Sequence, residues 1–354
     1  MKLTIGRAEL SRVLTTVGRV IEARNTIPIL SHFMLTASAP GGGLAVTGTD
    51  LDIVVTSSAQ ADIEQDGAVC VDAKLLSDIA KKAGDSDITI SLADDKLVVK
   101  SGRSRFSLAT LPAQDFPDFG AASFTADFDI DLAALFAPVQ FAISNDDVRY
   151  YLQGVFLHAL DGRLTAVATD GHRLSATSVD SDVSIPDIIV PRKTVGLLPK
   201  GMARVSVSDT KIRVVSGDFV LTSKLIDGTF PDYRRVIPAA NDKVVSFDRD
   251  ALLRASDRVA TISSERGRAV KFSIAPGGIS LAVRSDAGDA VDEIAANYAG
   301  EPIEIGFNAG YVRDMLSILP AGEVSMALAD GGSPALVKSA AADNWTGVCM
   351  PMRV

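Results

Sequence analysis

Apolar side chains alternate at Leu3 and Ile5, then change spacing to Leu10, Val13, Leu14, Val17 and Val20. A two-residue period that becomes a helical period predicts a short strand running into an amphipathic helix. The same switch returns at Phe128 (FDIDLAALFAPVQFAI) and at Val245 (VSFDRDALLRASDRVATI). Two further landmarks keep step with it. GLAVTGTD, RLTAVATD and ISLAVRSD end at Asp50, Asp170 and Asp286, and a second strand-to-helix switch starts at Val71, Val190 and Phe307. Three landmarks in one order, spaced by about 120 residues, predict a tandem repeat. That period is too long for a solenoid, so each copy is expected to be a domain with its own core.

The copies fall at 1–120, 125–241 and 244–354. Between the first two, PAQDFPDFGAASFT has proline, glycine and small polar residues without periodicity, and reads as a linker; a second linker runs from Pro231 to Asp242. Each copy holds two helices and many short strands joined by turn signals such as Asp94-Asp95. The predicted class is α+β, with helices packed on antiparallel sheets.

Composition narrows the function. With 47% hydrophobic and 22% charged residues the chain is ordinary for a globular protein. No leader pattern or membrane-length apolar run stands out, so the expected location is the cytoplasm, away from membranes. Cys70 and Cys349 lie in apolar strands of different copies, which favours buried free thiols over a disulfide. His32, His158 and His172 are dispersed, so neither a metal nor another cofactor is expected.

A net charge of −9 argues at first against nucleic acid, but the placement of the positive charge matters more. Arg7, Arg12, Arg19 and Arg24 accompany the first helix; Lys74, Lys81 and Lys82, then Arg192, Lys193 and Lys200, accompany the second helices of copies one and two. Arg254, Arg258, Arg266, Arg268 and Arg313 follow in copy three. Each helix alone reads as a solvated face, whereas recurrence suggests one positive surface assembled from several helices. The first helix of copy two, LAALFAPVQFAI, carries no charge and weakens that reading.

Among catalytic signatures the sequence offers Ser208-Asp209-Thr210-Lys211, an S-x-x-K of the kind found in serine acylases. It lies between VSVS and IRVVS, where a hairpin turn is the simpler reading. An exported adhesion or carbohydrate-binding protein is the other rival, and lacks both a leader and disulfides. The richest polar segments are DDVRYYL (Asp146–Leu152) and TDGHRL (Thr169–Leu174). Copies one and three place TDLD and SDAG where copy two has TDGH, so this departure suggests a binding surface. Arg149, Tyr150 and Tyr151 suit phosphate and base contacts, and the tyrosines fit equally as half-buried strand residues. The apolar segment WTGVCMPMRV reads as a strand to about Cys349 and a groove wall from Met350. Arg103 and Arg105 flank Phe106 and Leu108 in copy one, while copy three has an acidic run from Ser285 to Glu293. Complementary ends permit head-to-tail association that can close into a ring.

TIPIL (26–30), TGTDLD (47–52), SGRSRFSLATLPAQDFP (101–117), DVRYYL (147–152), ATDGHRL (168–174), VPRK (190–193), SKLIDGTFPDYRRVIP (223–238), IGFN (305–308) and MPMR (350–353) together resemble the bacterial sliding clamp family, the beta subunits of DNA polymerase III. The resemblance spans essentially the whole chain. It implies three tandem clamp domains per chain, a head-to-tail homodimeric ring around duplex DNA, and a non-catalytic role as processivity factor. The implied partners are the replicative polymerase, the clamp loader, translesion and repair polymerases, mismatch-repair proteins and ligase, docking through short peptide motifs.

The implied peptide pocket lies between copies two and three. Leu152, Thr169, Gly171, His172, Arg173 and Leu174 would form one side, Pro231, Arg235 and Val236 another, and Asn308, Tyr311, Val348, Met350, Pro351, Met352 and Arg353 the remainder. The family resemblance assigns DNA contact to Arg24, Arg149, Tyr150 and Tyr151, with Arg192 and Lys193. It pairs Lys74, Arg103, Arg105, Phe106 and Leu108 with Ile262, Asp289, Asp292 and Glu293 of a second copy. Gly267 and Pro334 depart from residues common in the family, Phe and Ser, and bear on the pocket rim and its peptide preference.

Overall fold

The computed structural model describes residues 1–22, 24–84, 87–120, 122–262 and 269–354. Six α-helices occur among them: α1 (Arg7–Gly18), α2 (Ala73–Lys82), α3 (Leu132–Phe136), α4 (Arg192–Leu197), α5 (Arg249–Ala260) and α6 (Ala309–Ser317). Each follows a strand, as the repeat predicts. In copy one, Leu3 and Ile5 of the strand and Leu10, Val13, Leu14 and Val17 of α1 are buried in one cluster. Side-chain caps start three of the helices. Asp72 accepts from the Leu75 N–H at 2.7 Å, Asp248 from Ala251 at 2.8 Å, and Asn308 from Gly310 at 2.8 Å. Such a cap contributes about 1 kcal/mol.

Copy two departs from the predicted helix lengths. The apolar pattern there predicts a first helix to Ile143, but α3 stops at Phe136 and the chain continues as a single 3-10 turn, Gln140–Ala142. Pro138 explains the break, because it has no N–H to donate and its ring collides with the carbonyl four residues earlier. Similarly, Pro199 disfavours helical geometry at Leu198 and keeps α4 short.

The three copies assemble as two compact units, Met1–Leu132 with Gly196–Leu225, and Ala133–Val195 with Ile226–Val354. Strand pairing across copies is the cause. In the first unit, Phe219–Lys224 pairs antiparallel with Ile53–Gln60, joining strands of copies one and two in a thirteen-stranded sheet. In the second, Arg173–Asp180 pairs with Trp345–Cys349, joining copies two and three in a twelve-stranded sheet. Edge strands that would otherwise leave N–H and C=O groups open are thereby satisfied. Each copy was expected to enclose its own core; copy two instead shares its strands between two larger assemblies.

Besides the strands that end each sheet, two strands leave long stretches of one edge open among the described residues. Ser104–Leu111 pairs with Lys96–Ser101 over residues 104–109, and its other side meets Gly67–Asp72 only at Thr110 and Leu111. Gly288–Asn297 pairs with Gly278–Ser285 over residues 288–295, and meets Lys243–Asp248 only at Ala296 and Asn297. Among the described residues no helix is long and apolar enough to cross a membrane.

Candidate functional site

The site is built on a turn. Strand Arg163–Thr169 passes to Arg173–Asp180 through Asp170, Gly171 and His172. Asp170 Oδ1 accepts from the N–H groups of His172 at 2.9 Å and Arg173 at 3.0 Å. Thr169 Oγ1 donates to the Arg173 carbonyl at 2.7 Å and accepts from the Gly171 N–H at 3.1 Å. Gly171 has φ 87°, and a Cβ there would lie 2.3 Å from the Arg149 guanidinium. Glycine meets both demands without strain and without displacing Arg149. Arg149 is also bonded to Asp146 at 2.8 Å, which holds that carboxyl below its usual range and pushes the guanidinium up.

Arg173 ties this turn to two other elements. Its Nε donates to Asp170 at 3.0 Å, Nη1 to Asp314 at 2.7 Å, and Nη2 to the Phe141 carbonyl at 2.8 Å. The guanidinium also lies over the Tyr311 ring at 4.5 Å and the Phe141 ring at 5.1 Å. Its side chain is 11% exposed. Tyr311 stacks on His172 with centroids 6.2 Å apart, and burial raises the Tyr311 phenol above its ordinary pKa. Asn308, the cap of α6, accepts from the Tyr311 N–H at 3.3 Å and fixes the helix start.

Behind the turn lies an apolar floor. Leu152, Leu174 and Val348 are buried in one cluster with Val167, Ile189, Phe230 and Tyr233. Phe156 stacks on Phe230 at 4.8 Å, and the buried His158 shares a 3.0 Å hydrogen bond with Tyr233. Burial lowers the His158 pKa and raises that of Tyr233. The last strand ends at Cys349, the position where the apolar pattern changes character. The Met350 N–H then donates to the His172 carbonyl and the Met352 N–H to the Gly306 carbonyl, both at 2.8 Å. A Cβ on Gly306 would sit 2.4 Å from the Met352 carbonyl oxygen, so this crossing needs glycine. Met350 remains 39% exposed. Cys70 and Cys349 are free and buried, and burial pushes their thiols up to about 11 and about 12.

The structure thus gathers Leu152, Thr169, Gly171, His172, Arg173, Leu174, Asn308, Tyr311, Val348, Met350 and Met352 through a connected set of contacts. Pro231, Arg235 and Val236 are exposed around Tyr233, and Arg235 pairs locally with Asp232 at 3.0 Å. Pro351 is half-buried, Arg353 exposed. The Pro334 carbonyl accepts from Asn241 at 2.9 Å. Gly267, Arg266 and Arg268 lie outside the described residues. Phe141, Asp314, Tyr233 and His158 support the site although their sequence positions gave no sign of it; the one signal available is that Asp314 stands one helical turn after Tyr311.

Of the residues expected to touch DNA, Arg24 is exposed and Tyr150 is 51% exposed; Tyr151 is half-buried with its ring edge-on to Tyr150 at 5.8 Å. Arg192 donates to the carbonyls of Ile143 and Ser144, and desolvation lowers its pKa. Lys193 is half-buried. Several helix cations are engaged within the chain, including Arg12 with Asp218 at 2.8 Å and Arg7 with the Lys81 carbonyl at 3.2 Å. Lys74, Arg103, Arg105 and Phe106 are exposed, while Leu108 and Ile262 are half-buried. Asp292 is bonded to Arg258 at 2.6 Å, which lowers its pKa; Asp289 and Glu293 lie on the same open-edged strand. Ser208 and Lys211 form a hairpin turn, and the Lys211 amine donates to the Phe119 carbonyl at 3.0 Å. Among the described residues no cluster of three or more His, Cys, Asp or Glu could hold a metal.

Three copies of one strand-to-helix module, two long sheets and an apolar site braced by a buried cation define a protein of the DNA-clamp class. The profiles for the N-terminal, central and C-terminal domains of the DNA polymerase III beta subunit match residues 1–120, 130–232 and 234–353. The chain is 42% identical over 374 residues to the beta sliding clamp of Caulobacter vibrioides and 37% identical over 368 residues to that of Escherichia coli K12, covering 100% of each chain in both cases. Its fold superposes on the Bartonella birtlesii sliding clamp, solved bound to griselimycin, with a TM-score of 0.96 at 40% identity and 100% coverage of both chains. The chain belongs to the DNA polymerase III beta subunit family, the bacterial beta sliding clamps. Its role is that of a DNA sliding clamp, a non-catalytic processivity factor in replication.

Proposed function

We propose that two copies of this chain close head to tail into a ring around duplex DNA. The observation that carries this reading is the pair of open strand edges with opposite charge. The edge at 104–109 has Arg105 on it and Arg103 beside it, and the edge at 288–295 has Asp289 and Glu293. Antiparallel pairing of these edges satisfies the open backbone groups of both, and charge sets the register. Phe106, Leu108 and Ile262 supply apolar contact, and Lys74 adds a further cation. Asp292 enters this seam held by Arg258 at 2.6 Å, whereas Asp289 meets the exposed Arg284 only at 4.0 Å, so Asp289 and Glu293 carry most of the complement to Arg103 and Arg105.

A closed ring holds DNA by topology. Dissociation of a tethered polymerase then becomes fast rebinding at high effective concentration. Arg24, Arg149, Tyr150, Tyr151, Arg192 and Lys193 make sequence-independent contacts with the duplex. Internal ion pairs such as Arg12 with Asp218 limit the cations available to phosphate, which suits sliding better than tight binding. The replicative polymerase, clamp loader, translesion and repair polymerases, mismatch-repair proteins and ligase dock by short apolar peptides against the exposed Met350, over the buried floor of Leu152, Leu174 and Val348. The Bartonella relative, solved bound to griselimycin, supports a ligand site in this class of protein. The protein acts in the cytoplasm.

Retention on nicked circular DNA, before and after the circle is linearised, tests the ring. Release on linearisation is the expected result; retention on linear DNA overturns topological linkage. Deleting residues 350–354 is expected to abolish binding of a short polymerase-tail peptide, and unchanged binding would move the docking site elsewhere.

A further inference from the structure

Arg173 has the wrong surroundings for a residue that reads a ligand's charge. A guanidinium facing a peptide offers a fork of N–H donors to a carboxylate. Here all three nitrogens are bonded within the chain, to Asp170, Asp314 and the Phe141 carbonyl, and the side chain is 11% exposed. Asp170 is committed twice, since its other oxygen holds the backbone of the turn. The carboxylate that takes Nη1, at 2.7 Å, comes from Asp314 on α6. Its second oxygen meets Arg313 at 3.5 Å. Tyr311, three residues earlier on α6, lies under the same guanidinium and against His172.

We infer that Asp314 is a positioning and specificity residue: its carboxylate keeps Arg173 turned inward as a strut, so that the docking site selects peptides by apolar fit and not by charge. This rests on the reading of the surface as a peptide site. The helix sets the separation of Asp314 and Tyr311 and so fixes the strut against both ring and turn. Neutralising Asp314 frees Nη1, leaves one more uncompensated positive charge beside the site, and loosens the support under Tyr311. Neutral peptides then bind less well, and acidic peptides are relatively favoured.

Fluorescence anisotropy on the full chain tests this with one short leucine- and phenylalanine-containing peptide in two versions, Asn or Asp at a single position. In the parent protein the two versions are expected to bind within about threefold of each other. In Asp314→Asn the neutral version weakens by about tenfold, and the ratio shifts toward the acidic version by at least about fivefold, a shift that shrinks as salt is raised. Asp314→Glu restores the parent ratio. Equal weakening of both versions, or a lowered melting temperature with an unchanged ratio, marks a merely structural role and overturns the inference. Failure of the parent protein to bind either version overturns the docking site itself, and this inference with it.

Discussion

The turn at Thr49–Ile53 and the turn at Thr169–Arg173 share one hydrogen-bond scheme. Thr49 Oγ1 donates to the Ile53 carbonyl at 2.8 Å and accepts from the Leu51 N–H at 2.9 Å, while Asp50 accepts from the N–H groups of Asp52 and Ile53 at 3.0 and 2.7 Å. The middle residue is left-handed in both, φ 80° at Leu51 and 87° at Gly171. What differs is the load. Ile53 places a buried hydrocarbon where Arg173 places a cation, and copy two adds His172 to the tip. The scaffold is common to both copies; the proposed docking site depends on the different residues that copy two mounts on it.

Removing that cation should have the largest effect. Arg173→Met leaves two carboxylates facing a space built for a cation, and is expected to cost about 3 kcal/mol, held below the upper range for buried pairs because Asp314 is partly solvated. Denaturant unfolding measures it, and Ile53→Val at the equivalent position should cost only about 1 kcal/mol. Comparable losses at the two positions would mean that Arg173 is ordinary packing. Next comes Gly171→Leu, which installs the copy-one residue. Strain at φ 87° and displacement of the Arg149 guanidinium together should cost about 2 kcal/mol and weaken peptide binding, read by melting and anisotropy.

Acid should also separate the two regions, by a smaller amount. His158 lies behind the copy-two turn with its pKa lowered by burial, so the unfolded chain binds its proton more readily. Its contribution is complete above the unfolded pKa of about 6.5 and is lost as pH falls from there toward the lower folded value. Melting curves between pH 8 and pH 5 should show this loss, and His158→Gln should flatten the dependence. An unchanged slope in that variant would assign the acid sensitivity to other groups.

Much of this was legible from local pattern. Period switches located the strands and the helix starts, recurring aspartates located the turns, and the change of character at Cys349 located the end of the last strand. What escaped depends on residues far apart in the chain. Arg173 meets Asp314 across 141 positions and Arg12 meets Asp218 across 206, so neither the inward strut nor the internal use of helix cations leaves any local period. The division of copy two between units likewise depends on which strand edges pair. Pro138 is a different case, since its helix-breaking chemistry lay in plain view inside an apolar window and was outweighed there by the repeat.

The smallest expected effect probes the copy-one turn itself. Leu51 occupies a backbone region that costs a residue with a Cβ about 1 kcal/mol or more, and it is 39% exposed, so its side chain recovers only part of that by burial. Glycine removes the strain but makes the unfolded chain more flexible, which takes back some of the gain. Leu51→Gly should therefore stabilise the chain by a few tenths to about 1 kcal/mol, with a matching small rise in the unfolding midpoint. Since the hydrogen bonds of the turn are the same in both copies, the same change should leave peptide binding at the second turn untouched. A clear loss of stability would mean that the Leu51 side chain carries packing that outweighs its strain, and the two turns would then differ in their scaffold as well as in their load.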